Sequence, residues 1–429
     1  MTRSIADAVA ELKSSVCQSL DPEVIRRACL EAGHVWRDRI LNPVTTIWLF
    51  TLQLIHCNTA CNHVVRFLPG LRFTDSAYCQ ARSRIPLAVF QRLFRIVTQR
   101  LLDSIDHALD RWHGHRVFFI DGSSCSMPDT PELQATFGQP TGQRKGCGFP
   151  VANLVGLFHR SGLLVDMLVN PLYAHEARMA HRLFGHLREG DVLVGDRAFS
   201  TYTIIAMLMG RDAHAVMREH QRRSTDFRRG RRIARDDRII ERPKPTIRPR
   251  WMTPAEFEQL PERLLLRQVR YTIVTDGFRT EKVVLVTTLL DSEEYPVSEL
   301  AALYGERWEA ETCFRHLKQT LRMDVLRCKS PDGVWKELSM YGVAYNLVRA
   351  IMVQAGINQG VPPERISLID VVRCLSLGQV NIDSLPQFVV NPHRPGRHQP
   401  RAVKRRPKQY ARLTHPRSQM RKAMNAWTL

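Results

Sequence analysis

Four residues in the last third of the chain have types and spacing suited to phosphodiester chemistry: Tyr304, Arg307, Glu311 and Lys318. At ~100° per residue on an α-helix, all four fall within an arc of roughly 60°. Leu300, Leu303, Phe314, Leu317 and Leu321 form an apolar stripe overlapping one edge of that arc, so the polar groups line the border of a half-buried face. A carboxylate there can hold a metal ion, while two cations and a phenol can hold phosphate. The segment also reads as an ordinary solvated helix. Arg307 and Glu311, like Glu311 and Arg315, stand four apart, a spacing common on exposed helix faces.

Two upstream segments share one design, a short apolar run of largely β-forming residues that ends in an aspartate. Val117-Phe-Phe-Ile120 runs into Asp121-Gly-Ser-Ser124, and Val192-Leu-Val-Gly195 runs into Asp196-Arg-Ala-Phe199. Continuous apolar strands are buried on both faces, so each aspartate stands where a central strand leaves the core. Carboxylates at adjacent strand ends can converge on one or two hard cations. Taken singly, Asp121 also reads as an Asp-Gly turn and Asp196 as a helix cap or turn residue.

The spacing of Tyr304, Arg307, Glu311 and Lys318 resembles the Tyr-x2-Arg-x3-Glu-x6-Lys signature of a group of insertion-sequence transposases of the DDE class. Ile120-Asp-Gly-Ser123 and Gly195-Asp-Arg-Ala-Phe199 resemble the segments carrying that family's first and second acids. Phe73-Thr-Asp-Ser-Ala-Tyr-Cys-Gln-Ala-Arg82 and Lys404-Arg-Arg-Pro-Lys-Gln-Tyr410 are similar to stretches common in relatives.

The resemblance implies an α/β RNase H-like catalytic core interrupted by a mostly β insertion, with an α-helical N-terminal domain and a basic C-terminal extension. It implies Asp121, Asp196 and Glu311 as catalytic residues and as ligands of two Mg²⁺ ions, for which Mn²⁺ can substitute. It also implies that Tyr304, Arg307 and Lys318 grip DNA, with Arg197 and Trp251 as further contacts. The implied activity is cleavage of double-stranded DNA at element ends and strand transfer to a target, by a homodimer that synapses two ends. Two alternatives stay open, a catalytically inactive DNA-binding regulator and a metal-dependent nuclease without strand transfer. A hydrolase built on His175-Glu176 and His181 has less to support it, because the spacing matches no known ligand motif.

Composition sets the outer bounds. The 429 residues include 62 Lys and Arg against 42 Asp and Glu, a formal net charge of +20. Such an excess points to a polyanionic partner, most simply nucleic acid. The longest apolar stretch, Pro43 to Ile55, is too short to span a bilayer. The first residues, Met-Thr-Arg-Ser-Ile-Ala-Asp, lack the apolar core of a signal peptide, so a cytoplasmic protein without membrane contact is expected. The ten cysteines are scattered and form no disulfide framework.

Along the chain, residues 1–105 read as a helical domain, for which the resemblance implies DNA binding. Residues 106–208 read as the first part of the core with Asp121 and Asp196, and 293–360 as its second part with Glu311. Between them, 209–292 is Arg-rich and β-forming; the interval from Asp196 to Glu311 is too long for one connection within a compact core. Leu264 to Val274 and Lys282 to Leu290 read as paired strands around a Thr275-Asp-Gly-Phe turn. One helix is expected to run past Glu311 to about Leu321, and another from Val334 to about Val353. Residues 361–429 read as a helical segment and a basic tail. After Asp383 there is no acidic residue, eleven Lys or Arg stand between Arg394 and Lys422, and Pro392, Pro395, Pro400, Pro407 and Pro416 make a regular helix unexpected there.

Overall fold

Helices begin where the sequence supplies caps. Asp21 accepts from the Val24 amide at 2.9 Å and Pro22 opens α1 (Pro22–Glu31); Asn42 and Pro43 do the same for α2 (Pro43–Ile55). The computed structural model describes residues 20–66, 73–105, 111–174, 176–221, 223, 225–273, 281–377, 385–391 and 410–427. Three more helices follow, α3 (Cys61–Arg66), α4 (Asp75–Arg84) and α5 (Leu87–Ile105).

The strands β1 (Val117–Ser126), β2 (Val151–His159), β3 (Leu164–Pro171), β4 (Val192–Gly195), β5 (His214–Arg218), β6 (Arg231–Ala234), β7 (Asp237–Pro243), β8 (Arg263–Ile273) and β9 (Glu281–Thr287) form one mixed sheet, in the order β3-β2-β1-β4-β5-β9-β8-β7-β6. β1, β4 and β5 run parallel to one another, and the remaining pairs are antiparallel. The apolar runs entering Asp121 and Asp196 are thus the central strands, buried as their composition requires. The residues read as an insertion extend this same sheet, because β9 pairs with β5. β8 and β9 pair as expected; their connecting turn lies outside the described residues.

Between strands lie α6 (Pro131–Phe137), α7 (Glu176–Met179), which passes into a 3-10 helix at Ala180–His186, α8 (Tyr202–Met209) and α9 (Pro254–Glu258). After the sheet come α10 (Val297–Glu306), α11 (Trp308–Arg315), a π-helical turn at His316–Thr320, α12 (Pro331–Gln359), α13 (Leu368–Ser376) and α14 (Arg417–Trp427). α12 runs longer than the Val334–Val353 expected. Ser330 caps its start, and Gly360, with φ +64°, ends it in the left-handed conformation that suits glycine.

α12 is buried on nearly all sides and joins the amino-terminal helices to the sheet. Phe94 of α5 lies against Gly342, where an added Cβ would stand 2.5 Å from its ring. Asn346, fully buried, bonds both backbone groups of Leu164 at 2.8 Å and the Thr98 hydroxyl at 2.9 Å. The residues of one hydrophobic core therefore run from Leu20 through the sheet to Phe388. No described helix is long and apolar enough to cross a membrane.

Two sequence expectations need correction. The helix around Glu311 is not continuous. It tightens at Arg307, where i→i−3 bonds (Arg307 to Tyr304, Ala310 to Arg307) replace the usual ladder, and it widens at His316–Thr320, where Leu321 bonds back five residues. The tail is not wholly irregular either. The last of its prolines, Pro416, stands directly before α14 and leaves the eleven residues after it free to wind.

Candidate active site

The ladder between β1 and β4 pairs Phe119 with Val194 and Ile120 with Gly195. Asp121 is the next residue on β1 and Asp196 the first after β4, so the two stand side by side where the parallel pairing ends, roughly one strand spacing of 4.8 Å apart along the sheet. Contrary to the sequence expectation, β1 does not end at Asp121: it continues to Ser126, paired with β2 throughout. Gly195 keeps this junction tight: a Cβ there would lie 2.7 Å from the Met217 sulfur and 3.0 Å from Ile120. Asp196 spends one oxygen on the Ala198 amide at 2.7 Å, as a turn aspartate does. Its turn reading holds.

Glu311 reaches the same place from α11. On β2, Gly156 is the register partner of Asp121 and presents no side chain. Phe314 fills that space; a Cβ on Gly156 would stand 2.8 Å from the Phe314 ring, which packs edge-on against Phe158 with centroids 5.1 Å apart. Phe314 lies three residues after Glu311, on the same helical face, so its seat against β2 holds Glu311 beside Asp121. Asp121, Ser123, Glu311, Arg315, Lys318 and Asp324 line a cavity of about 560 Å³.

The electrostatics agree with this closeness. Burial pushes the Asp121 carboxyl up to about 7; the Glu311 and Asp196 charges add to the rise, while the Gly122 amide and the Arg307 guanidinium oppose it. Arg307, only 9 % exposed, donates from Nη2 to Glu311 Oε1 at 3.0 Å. Its guanidinium lies 5.8 Å from the Tyr304 ring and 5.5 Å from that of Trp308. Tyr304 is buried beneath it, and burial raises its phenol above the ordinary value. Lys318 donates to the Ser123 hydroxyl at 3.3 Å, tying the end of the motif helix to β1.

The donor set suits a hard divalent cation: three oxygen-bearing acids, one kept from ionising by burial and by its like-charged neighbours. Among the described residues no three Asp, Glu, His or Cys groups are gathered closely enough to hold a metal ion as they stand. Glu311 is engaged by Arg307, and a turn of its side chain from that partner toward Asp121 is what a metal would require.

Two expected contacts point elsewhere. Arg197 turns to Gln221, with Nη1 2.5 Å from Oε1. Trp251 stacks on His181, with centroids 4.7 Å apart and planes at 8°, so one ring face is already covered from within the chain. Of the His175-Glu176-His181 group, His175 lies outside the described residues. Sequence reading passed over three features of the site. Arg218 ends β5 next to the Met217–Gly195 pair and acts electrostatically on Tyr304. Trp308, 63 % exposed, stands next to Arg307, and Asp324 lines the cavity. The available signal for Arg218 was that its apolar run, like those before Asp121 and Asp196, leads into a charged side chain.

A larger cavity of about 640 Å³ opens at the other end of β1, between Val117, His159, Arg160 and Glu306. Two of its charges are spent on each other, Arg160 donating to Glu306 at 2.6 and 2.7 Å.

Residues 112–347, more than half the chain, match the family model described as the transposase DDE domain. The chain belongs to this transposase family. The transposase is 27 % identical over 438 residues to Transposase InsG for insertion sequence element IS4 of Escherichia coli strain K12, covering 94 % of this chain and 95 % of that protein. It is 30 % identical over 104 residues to the transposase of insertion sequence element IS421 of Escherichia coli, covering 22 % and 26 % of the two chains. Among solved structures, a piggyBac transposase synaptic complex with hairpin DNA aligns over 89 % of this chain and 81 % of its own, at 9 % identity and a TM-score of 0.48. Family membership makes the transposase an enzyme that breaks and re-forms phosphodiester bonds in DNA, of a class that generally works with divalent metal ions.

Proposed function

We propose that Asp121, Asp196 and Glu311 are the catalytic acids of this transposase, that they hold two Mg²⁺ ions, and that the enzyme cuts double-stranded DNA at the ends of its element and joins those ends to a target. The observation that supports the reading is the ladder step pairing Ile120 with Gly195, each followed by an acid, with Glu311 lining the same cavity as Asp121. Bound between these acids, divalent ions supply a lowered pKa for the attacking water or 3′-hydroxyl and relief of charge on the leaving oxygen. The protein's own groups do the rest. Arg307 and Lys318 bind the backbone phosphates beside the cleaved bond, and the Tyr304 ring, packed beneath Arg307, fixes the guanidinium plane. Arg197 meets the DNA only after leaving Gln221, and Trp251 offers a base the face not covered by His181.

The order β3-β2-β1-β4-β5 is the RNase H-like core in this reading, with 1–105 as the end-binding helices and 209–292 as a β insertion sharing the sheet. A homodimer synapses the two ends.

The experiment is nicking of an end-bearing duplex with Mg²⁺ and with EDTA, comparing the wild type with Asp121→Ala, Asp196→Ala and Glu311→Ala. Each variant is expected to lose Mg²⁺-dependent nicking while retaining end binding. Cleavage retained by any of the three removes that residue from the triad. Binding without nicking by the wild type itself describes a DNA-binding regulator, and nicking without joined products describes a nuclease.

A further inference from the structure

A cavity of about 540 Å³ opens between α8 and the strands β5, β7 and β8, lined by Thr201, Thr203, Glu219, Arg223, Arg242 and Gln268. Arg242, on β7, is more than nine-tenths buried. Its Nη2 donates to Glu219, while its Nη1, also buried, makes no hydrogen bond among the described residues. Arg223 Nη1 is in the same condition, 3.6 Å from Glu219 Oε1. Among the described residues the one buried acid facing them is already committed, since Glu219 also accepts from Gln268 Nε2 at 3.0 Å and from the His220 amide at 3.2 Å. Glu241, at the rim, is held by Arg263 at 2.8 Å. Arg238, which also borders the cavity, is bonded to Gln268.

The third wall is the start of α8. Thr201 caps it by accepting from the Ile204 amide at 3.3 Å, and the first-turn amides of Tyr202 and Thr203 have no partner within the helix. They add partial positive charge to the two guanidinium groups. Burial of Arg242 pulls its pKa down to about 10, the cost of holding a cation there with one shared acid. An unpaired buried donor costs free energy unless a ligand accepts from it.

The cavity lies on the catalytic side of the sheet. Thr201 follows Asp196 within the same β4–α8 connection, and Glu219 follows Arg218 at the end of β5. We propose that it is a second phosphate site, separate from the catalytic carboxylates, in which Arg223, Arg242 and the α8 amides grip a backbone phosphodiester of the bound DNA. The proposal rests on the transposase reading only for the source of the phosphate.

Inorganic phosphate serves as the probe, in thermal unfolding of the full chain at ionic strength matched with chloride, for the wild type, Arg223→Gln and Arg242→Gln. Arg223, partly exposed, keeps the test open if the buried Arg242 variant does not fold. Phosphate is expected to raise the wild-type melting temperature beyond chloride and to lose that increment in Arg223→Gln. In titrations of duplex DNA against salt, Arg223→Gln is expected to lower the slope of log K against log [salt] by about 0.9, one phosphate contact. An equal phosphate increment in wild type and Arg223→Gln overturns the site. A lost increment with an unchanged slope overturns the DNA source and leaves a site for free phosphate. Failure of the catalytic reading is visible separately, as nicking by Asp121→Ala, and leaves the phosphate increment untouched.

Discussion

Asp121 is a half-buried acid, and desolvation, reinforced by the Glu311 and Asp196 charges, makes it hold a proton to about pH 7. A metal ion competes with that proton, since only the carboxylate is a ligand. Mg²⁺-dependent cleavage is therefore expected to rise with pH through about 7, measured as single-turnover nicking from pH 5.5 to 9; a flat profile would separate Asp121 from metal binding. The stability consequence has the opposite slope. The native form binds the proton more tightly than the unfolded chain, so the stabilisation from Asp121 is complete below the unfolded pKa and is lost as pH climbs to about 7. In EDTA, Asp121→Asn is expected to melt higher than the wild type at pH 8, with the gap closing toward pH 4.

Arg307 is the counterweight at this scale. Arg307→Gln removes the charge that holds Asp121 down, so the midpoint of the cleavage profile should move to higher pH, alongside weaker end binding. The motif residues were legible because four side-chain types at fixed intervals are a sequence property. The stacking of Trp251 on His181 was not legible, because the two are distant along the chain and nothing in the local pattern announces the pair.

At the scale of elements, the contact that matters most is between Gly156 of β2 and Phe314 of α11. Gly156→Ala places a methyl group where the Phe314 ring sits, and overpacking of this kind costs about 1–3 kcal/mol. The helix must then shift outward and take Glu311 with it. A displacement near 1 Å at reacting groups costs about a hundredfold in rate, so cleavage should fall about that far while end binding stays close to wild type. Loss of both together would mean general unfolding instead. The strands around Asp121 and Asp196 were readable as continuous apolar runs. The break at Arg307 and the π turn at His316–Thr320 were not, because a fixed 100° per residue assumes one uniform ladder. Lys318 consequently meets Ser123 of β1, a partner that helical projection does not indicate.

At the scale of the molecule, the basic carboxyl-terminal segment is anchored near the catalytic strand. Tyr410 shares a 2.9 Å hydrogen bond with Ser124, its carbonyl accepts from Gln143 at 3.0 Å, and Arg417 pairs with Asp129. Residues 404–408, with four cations, run directly into that anchor. Truncation after Asp383 is expected to weaken binding to any duplex and to flatten its salt dependence by several units of slope, at about 0.9 for each phosphate released. An unchanged slope would place the segment off the DNA. The net charge made a polyanionic partner legible from composition. The docking of the tail was not, since proline content argues against regular structure without saying where the prolines stop. The union of helices, central strands and basic β strands in one core was equally hidden, because β5 and β9 pair across a long stretch of chain.

The step from Ile120 and Gly195 to the two aspartates has a broader implication. The gap between those acids is inherited from main-chain hydrogen bonding between neighbours, not from side-chain packing. Loops on either side of the sheet can therefore lengthen, shorten or change composition while the spacing proposed as reactive survives. Such tolerance suits a scaffold whose recognition surfaces diversify around fixed chemistry.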